Sequence, residues 1–559
     1  MRNASKIEEK YARWLDRADE ETREELKKLS AGEKEDAFYR DLAFGTGGLR
    51  GVIGAGTNRM NVYVVGRATQ GLAEYLKKKR ADPSAAISYD SRIRSDLFAR
   101  VTASVLAANG VKVWLYPRLM PTPCLSFAVR ALNCDAGVMV TASHNPGIYN
   151  GYKVYREDGC QITAGEAEAI LDEIERLDEF EDVKTCDFDE ALRRGTVSYI
   201  GGEVYDAFIE EVKKCSVLYG DAIDRNVAIV YSPLNGTGLL PVTRILEETG
   251  FTNVTVVKEQ EAPDGRFPTC PFPNPEIREA MRLGIEYCER TGADLLLATD
   301  PDCDRCGIAA KDDKGEYRLF TGNEVGLLLL DYICAQKQRH GKMPAGPVCV
   351  KTVVTMDLAE RIAAHYGVRT VNVLTGFKYI GEVIGNLEKE KRRDSFLIGF
   401  EESYGYLTGA HVRDKDAVNA AMMICEMFCY YKTRGISLYE KLKELFDLYG
   451  YCFQTLHSYT FDGPAGMKKM REIMAALRAG VFTLGGMKVE KVEDYLTGIG
   501  GLPKSDVLKY VLEGGSSAVI RPSGTEPKLK AYICVTANDE RAAAVTEERI
   551  AKDLSSRFQ

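Results

Sequence analysis

The sequence predicts an α/β protein with three similar mixed α/β domains and a smaller α+β C-terminal domain around a central cleft. Three observations carry that prediction. At 559 residues the chain is too long for one hydrophobic core, and about two to four domains are expected. One strand–helix–strand pattern occurs three times. Each copy then leads to a further apolar strand that ends in a polar motif.

The first copy reads AAISYDS, then SDLFARVTASVLAAN, Gly110 and VKVWLY. The second reads NVAIVYSPLNGTG, LLPVTRILEET, Gly250 and FTNVTVV, and the third VCVKTVV, TMDLAERIAAHY, Gly367 and VRTVNVL. Glycine just past a helix is a stop signal, and strand–helix–strand at this spacing implies βαβ units. The further strands are AGVMV before TASHNP, DLLLA before TDPDCDR, and SFLIG before FEESYGY. Ligands of open α/β sheets bind beyond the carboxyl ends of strands, so three such ends would line a shared cleft. The domains are placed at 1–205, 206–325, 326–455 and 456–559. Residues from about 5 to 30 read as one charged amphipathic helix. The last domain has a helix-like MKKMREIMAALRAG, short apolar strands and a Gly/Pro loop, RPSGTEPKLK.

Composition narrows the function. Hydrophobic residues make up 45% and charged residues 28%, with a formal net charge of −8. That balance argues against a nucleic-acid or anionic-membrane partner, either of which needs a basic face. A local Arg/Lys cluster could still bind a small anion. The fifteen cysteines are odd in number and scattered along a long chain, unlike a secreted disulfide scaffold. The charged N-terminus has no apolar core of a signal peptide, and VGLLLLDYICA is too short to span a bilayer. A reducing cytoplasm is expected.

Four segments carry chemistry. In TASHNP, Ser143 follows a strand with His144 beside it, and NGYK places Lys153 close behind. A plain turn is the competing reading, and a hydrolase elbow would need G-x-S-x-G. DPDCDR sets Asp300, Asp302 and Asp304 at alternate positions. Oxygen-only ligands favour Mg²⁺, and three protein ligands leave a position for a phosphate oxygen. An EF-hand is rejected, since its loop needs Gly and Glu where Arg305 and Lys311 stand. Cys303 and Cys306 have no second Cys/His pair at zinc spacing.

GFEESYGY offers Glu401 and Ser403 to sugar hydroxyls, with a structural acidic loop as the equal alternative. TGFK, Thr375 to Lys378 with Gly376, ends the preceding strand and could share that pocket. RPSGTEPK has the composition of a phosphate cradle, with a tight turn as its rival. FGTGGLRG puts Arg50 in a Gly-rich turn that is not a dinucleotide fingerprint, and no Walker A sequence occurs.

With FGTGGLRG, TASHNPGIYNGYK, DPDCDR, TGFKYIGE, GFEESYGY with HVRDKDA, and RPSGTEPK in this order, the chain resembles the α-D-phosphohexomutases. It is most similar to the long bacterial α-phosphoglucomutase branch related to phosphopentomutase, over nearly its whole length. The resemblance implies four domains around a cleft and a phosphoserine at Ser143. It implies Mg²⁺ on Asp300, Asp302, Asp304 and a phosphoserine oxygen, and Lys153 as a general base. His144, Arg50 and Arg305 would lie near the transferring phosphoryl group. Glu401 and Ser403 would hold the sugar hydroxyls, and Lys415 of RDKDA a substrate phosphate. Arg521, Ser523, Gly524 and Thr525 would hold the phosphate that is not reacting.

The implied reaction interconverts glucose 1-phosphate and glucose 6-phosphate through glucose 1,6-bisphosphate, which is also the expected activator. Mannose or pentose phosphates, or a glucose 1,6-bisphosphate synthase, are the alternatives. A non-enzymatic sugar-phosphate sensor would have no need of Ser143, the three aspartates and Lys153 together. The expected partners are small sugar phosphates, and the sequence carries no signal of oligomeric state.

Overall fold

The computed structural model describes residues 2–461, 463–523 and 528–558. Gly524 and Thr525 of the expected phosphate loop lie outside the described residues.

The threefold pattern becomes one strand arrangement repeated in three sheets. In the first, Ser84–Tyr89 lies between Lys112–Leu115 and Ala136–Val140, parallel to both. Tyr149–Arg156 then folds back antiparallel onto Ala136–Val140. In the second, Ile229–Ser232 lies between Val254–Val256 and Leu295–Thr299, and Cys306–Lys311 folds back. In the third, Val348–Thr352 lies between Arg369–Val373 and Phe396–Glu401, and Gly405–Leu407 folds back. Ala136–Val140 and Leu295–Thr299 are buried at every position, which is why they read as unbroken apolar runs. The three crossover helices end at Ala108, Glu248 and His365. Gly110, Gly250 and Gly367 follow them at φ 80°, 87° and 67°, a left-handed conformation that glycine adopts at no steric cost.

The fourth unit is an antiparallel sheet under the helices Gly463–Ala479 and Glu540–Phe558. Its strands are longer than the sequence suggests: Tyr451–Thr460 and Lys528–Ala537 are ten residues each and pair from end to end. It packs on the third unit through Val353, Val354 and Leu374 against Tyr495, Val519 and Tyr532. Asp357 ties the two units by accepting bonds from Lys351, Lys509 and Ser517. The run VGLLLLDYICA lies in a core helix, Gly322–Arg339. No helix among the described residues is long and apolar enough to cross a membrane.

The N-terminal segment corrects one expectation. In place of one helix there are Arg2–Arg17 and Glu20–Lys27, with Ala31–Phe38 after them. The Asp19 side chain accepts the Thr22 N–H and starts the second helix, and Ser30 with Glu33 forms a capping box for the third. Strong N-caps outweigh a continuous amphipathic pattern here.

Candidate active site

In each of the three repeated units the polar motif is the hairpin where the chain folds back antiparallel. TASHNP lies between Val140 and Tyr149, DPDCDR between Thr299 and Cys306, and ESY between Glu401 and Gly405. Each hairpin holds one non-glycine residue in the left-handed region: Ser143 at φ 53°, Cys303 at 51° and Tyr404 at 65°. Such conformations cost about 1–3 kcal/mol each and persist only where surrounding contacts impose them.

Around Ser143 those contacts are visible. The Arg92 guanidinium lies beneath the loop and donates to the carbonyls of Ser143 (2.6 Å), Pro146 (2.9 Å), Tyr149 (2.9 Å) and Asn145. Asp90 accepts from Thr141 Oγ1 at 2.6 Å and Ser95 Oγ at 2.7 Å, and Thr141 Oγ1 takes the Ser143 N–H at 2.7 Å. The loop is thus clamped from below, and Ser143 Oγ points the other way. It donates to Asp300 Oδ2 at 2.9 Å and stands 3.2 Å from His144 Nδ1.

One carboxylate oxygen from each of Asp300, Asp302 and Asp304 lies within 4.8 Å of the other two, and all three residues are buried. Asp300 Oδ1 accepts the backbone N–H groups of Asp304 and Arg305. Asp302 Oδ2 accepts from Thr122 Oγ1 at 2.9 Å and Lys153 Nζ at 2.8 Å. Lys415 Nζ is 3.1 Å from Asp304 Oδ2. Burial, with the charges of Asp302 and Asp304, pushes Asp300 well above the usual carboxylate range. Against the same burial, Lys153 holds Asp302 well below it.

Asp302 Oδ1 and Asp304 Oδ1 are buried without a hydrogen-bond partner. Anionic oxygens left bare in a buried site carry a large desolvation penalty. Three carboxylates with two bare oxygens fit a hard divalent cation such as Mg²⁺. Cys303 and Cys306 are buried thiols pushed up by that burial, as expected of non-ligands.

Cations and hydrogen-bonding groups from all three repeated units converge here. Arg305 donates to the Ser403 carbonyl at 3.1 Å and pairs with Glu276. Arg50, in the strand Gly48–Val52, donates to Asn145 Oδ1 at 3.2 Å and stays open to solvent in the cleft. Burial, then Arg305 and Arg50, push His144 well below its usual range, so the ring is neutral. Glu401 Oε1 accepts the Gly376 N–H at 2.9 Å, and burial raises its carboxyl. Thr375 Oγ1 is buried without a partner. Lys378 reaches across to the Thr46 carbonyl of FGTGGLRG at 3.0 Å.

From the fourth unit, Arg521 lies opposite Lys530 at the end of the strand Ser517–Pro522. Its charge acts on the phenols of Tyr379 and Tyr532, and Tyr532 also feels Glu401 and Glu402. Ser523 donates its N–H to the Lys528 carbonyl at 2.7 Å.

The sequence reading missed Arg92, Asp90, Thr122 and Glu276. Arg92 and Asp90 stand in SYDSRIR, directly after a predicted strand end, and that position is the signal that would have found them. Thr122 and Glu276 stand at no strand end and carried no local signal.

Four family models match the chain in order. Domains I, II and III of phosphoglucomutase/phosphomannomutase match residues 41–181, 206–315 and 321–449, and its C-terminal domain matches 464–552. The chain is 36% identical over 534 residues to a phosphoglucomutase of Staphylococcus saprophyticus, covering 93% of this chain and 95% of that one. It is 35% identical over 535 residues to a phosphoglucomutase of Staphylococcus aureus, covering 93% and 94%. The fold is shared with a phosphoglucomutase/phosphomannomutase family protein of Burkholderia thailandensis, at TM-score 0.68, 20% identity and 92% and 97% coverage. It is shared too with the Paramecium phosphoprotein pp63/parafusin, at TM-score 0.68, 17% identity and 93% and 96% coverage.

Proposed function

We propose that this chain, which belongs to the phosphoglucomutase/phosphomannomutase family, interconverts glucose 1-phosphate and glucose 6-phosphate through a phosphorylated Ser143. Its class, an intramolecular phosphotransferase acting on sugar phosphates, follows from the family. The observation that supports the phosphoserine reading is the Ser143 hydroxyl, held by a clamped loop 2.9 Å from Asp300.

Asp300, Asp302, Asp304 and a phosphoserine oxygen would hold Mg²⁺, which when bound supplies positive charge to the phosphoryl oxygens. Arg305 and Arg50 face the same group and stabilise its charge from the protein side. Neutral His144 orients the Ser143 oxygen. Lys153 is the proposed base for the accepting sugar hydroxyl: against burial, Asp302 and Asp304 hold it as an ammonium, so it would take that proton only once those carboxylates turn to a bound cation. Glu401 and Ser403, with Thr375, Gly376 and Lys378, hold the sugar, and Lys415 contacts a substrate phosphate. Arg521, Ser523, Gly524 and Thr525 hold the phosphate that is not reacting. The intermediate, glucose 1,6-bisphosphate, turns over in the cleft to rephosphorylate Ser143 and also serves as the activator.

In this reading the working units are the expected 1–205, 206–325, 326–455 and 456–559, with each boundary moved to the N-terminal end of the element it cuts, the helices Gly202–Lys213 and Gly322–Arg339 and the strand Tyr451–Thr460. A cytoplasmic enzyme accords with fifteen cysteines that are all free thiols.

The test is a coupled assay across glucose, mannose, ribose and deoxyribose 1-phosphates, with Ser143→Ala alongside. Glucose 1-phosphate should give the highest kcat/KM, and Ser143→Ala should abolish turnover while remaining folded. Preference for another sugar phosphate overturns the substrate, and turnover of Ser143→Ala within about tenfold of wild type overturns the phosphoserine mechanism.

A further inference from the structure

Outside the cleft, three chemically active side chains stand in a row. Cys215 follows the helix Gly202–Lys213 of the second unit. His411 lies in the loop between Gly405–Leu407 and the helix Ala417–Lys432 of the third. His411 Nε2 is 2.8 Å from Asp416 Oδ2, and His411 Nδ1 is 3.9 Å from Cys215 Sγ. Asp416 is fixed in turn, because its Oδ1 caps the helix by accepting the N–H groups of Val418 and Asn419.

Gly409 is what lets thiol and ring meet: a Cβ there would lie 2.6 Å from Cys215 Sγ and 2.9 Å from His411 Nδ1. Cys215 is half-buried and, with His411, lines a cavity of about 300 Å³ that also presents Lys214, Lys337, Arg393 and Asp394.

We propose that Cys215, His411 and Asp416 form a thiol-modification site that undergoes exchange with small anionic disulfides of the glutathione type. The order thiol, imidazole, carboxylate is that of an activated nucleophile, with the base oriented by a third group. His411 Nδ1 takes the Cys215 proton, and the thiolate attacks one sulfur of the incoming disulfide. A new S–S bond forms as the old one breaks, and the displaced half leaves as a thiol carrying the proton from His411. The disulfide is the only co-reactant, and electrons balance within the exchange.

Burial works against a charge on His411, but Asp416 and Cys215 outweigh it and hold the ring up at about 9, so it keeps the proton it receives. The cavity sets the ligand's charge. Lys214, Lys337 and Arg393 face it against Glu211 and Asp394, and Glu211 already pairs with Lys214 and Arg393. An excess of cationic groups favours carboxylates on the incoming molecule.

The molecule supplies its own reference. Of the fifteen cysteines only Cys186 and Cys215 are half-buried, the other thirteen being buried. Both thiols donate to a backbone carbonyl, Cys186 to Ser104 at 3.3 Å and Cys215 to Glu211 at 3.5 Å; what sets Cys215 apart is the His411 ring beside it, while burial pushes the Cys186 thiol up.

The experiment treats the full chain with glutathione disulfide near neutral pH and follows adducts by peptide mass spectrometry. Cys215 should react at least about tenfold faster than Cys186, since exchange tracks thiolate character. His411→Gln should erase that advantage while Cys186 reacts as before. If His411→Gln fails to fold, Asp416→Asn carries the comparison, because it keeps the oxygen that caps the helix and loses the charge. Cystamine, a cationic disulfide, should lose ground to glutathione disulfide at Cys215 relative to their rates on the unfolded chain. Equal rates at Cys215 and Cys186, or an undiminished rate in the variant, would overturn the site. A preference for cystamine would overturn the anionic ligand.

Discussion

Removing the guanidinium beneath the Ser143 loop tests whether the loop's geometry is imposed from below. Arg92 is buried and serves four carbonyls of one loop, at Ser143, Asn145, Pro146 and Tyr149. Hydrogen bonds from a charged donor contribute about 1.5–3 kcal/mol each, so four would sum to roughly 6–12 kcal/mol if the loop stayed in place without them. The loop will move instead, which limits the loss to the ~3–5 kcal/mol typical of breaking one side of a buried ion pair. Asp90, whose Oδ2 lies 3.4 Å from Arg92 Nε, is then left without its cation and adds to the pressure to rearrange.

A displacement of about 1 Å at a reacting group lowers the rate on the order of 100-fold. Arg92→Ala should therefore reduce kcat about 100-fold with little change in KM, because the sugar-facing groups lie on other units. Arg92→Lys keeps the charge, but one ammonium cannot reach four carbonyls on two sides, and a smaller loss is expected. The assay is dehydrogenase-coupled turnover of glucose 1-phosphate, with phosphate incorporation at Ser143 followed by mass spectrometry and folding by circular dichroism. A folded Arg92→Ala protein with kcat within about threefold of wild type would refute the clamp.

Three further outcomes are expected. Asp302→Asn neutralises one of three carboxylates and should weaken Mg²⁺ binding and lower kcat; unchanged magnesium dependence would take the metal elsewhere. Arg521→Ala should lower kcat/KM by roughly 30- to 150-fold, the equivalent of about 2–3 kcal/mol for a charge-assisted phosphate contact. The loss should be alike from glucose 1-phosphate and glucose 6-phosphate, and a defect in one direction alone would show that Arg521 serves a single orientation. His411 is held at about 9 against about 6.5 in an unfolded chain, a difference of about 3 kcal/mol. A folded-state value above the unfolded one gives stability that is complete below pH 6.5 and fades as pH rises toward 9. The Tm gap between wild type and His411→Gln should therefore be widest at low pH and shrink across that window; a gap that widens with pH would contradict the pairing with Asp416.

The sequence by itself determined the three-copy α/β plan and the positions of TASHNP, DPDCDR and FEESYGY at strand ends. Those signals are local. A strand buried on both faces must be an unbroken apolar run, as AGVMV is, and a helix that stops in a left-handed turn calls for glycine, as at Gly110, Gly250 and Gly367. The tertiary structure decided what lies between distant segments. Asp19 as a cap was locally legible in principle, but amphipathic periodicity ran straight through it. The pairing of Tyr451–Thr460 along all of Lys528–Ala537 joins segments nearly eighty residues apart. Lys153 and Lys415 reach the aspartates from two other units. Arg92 looks like a solvated loop residue until the Ser143 loop closes over it, and Cys215 meets His411 across 196 residues of chain. A hydrogen bond between residues so far apart leaves no period in the sequence, because only packing of separate units sets the distance between their side chains.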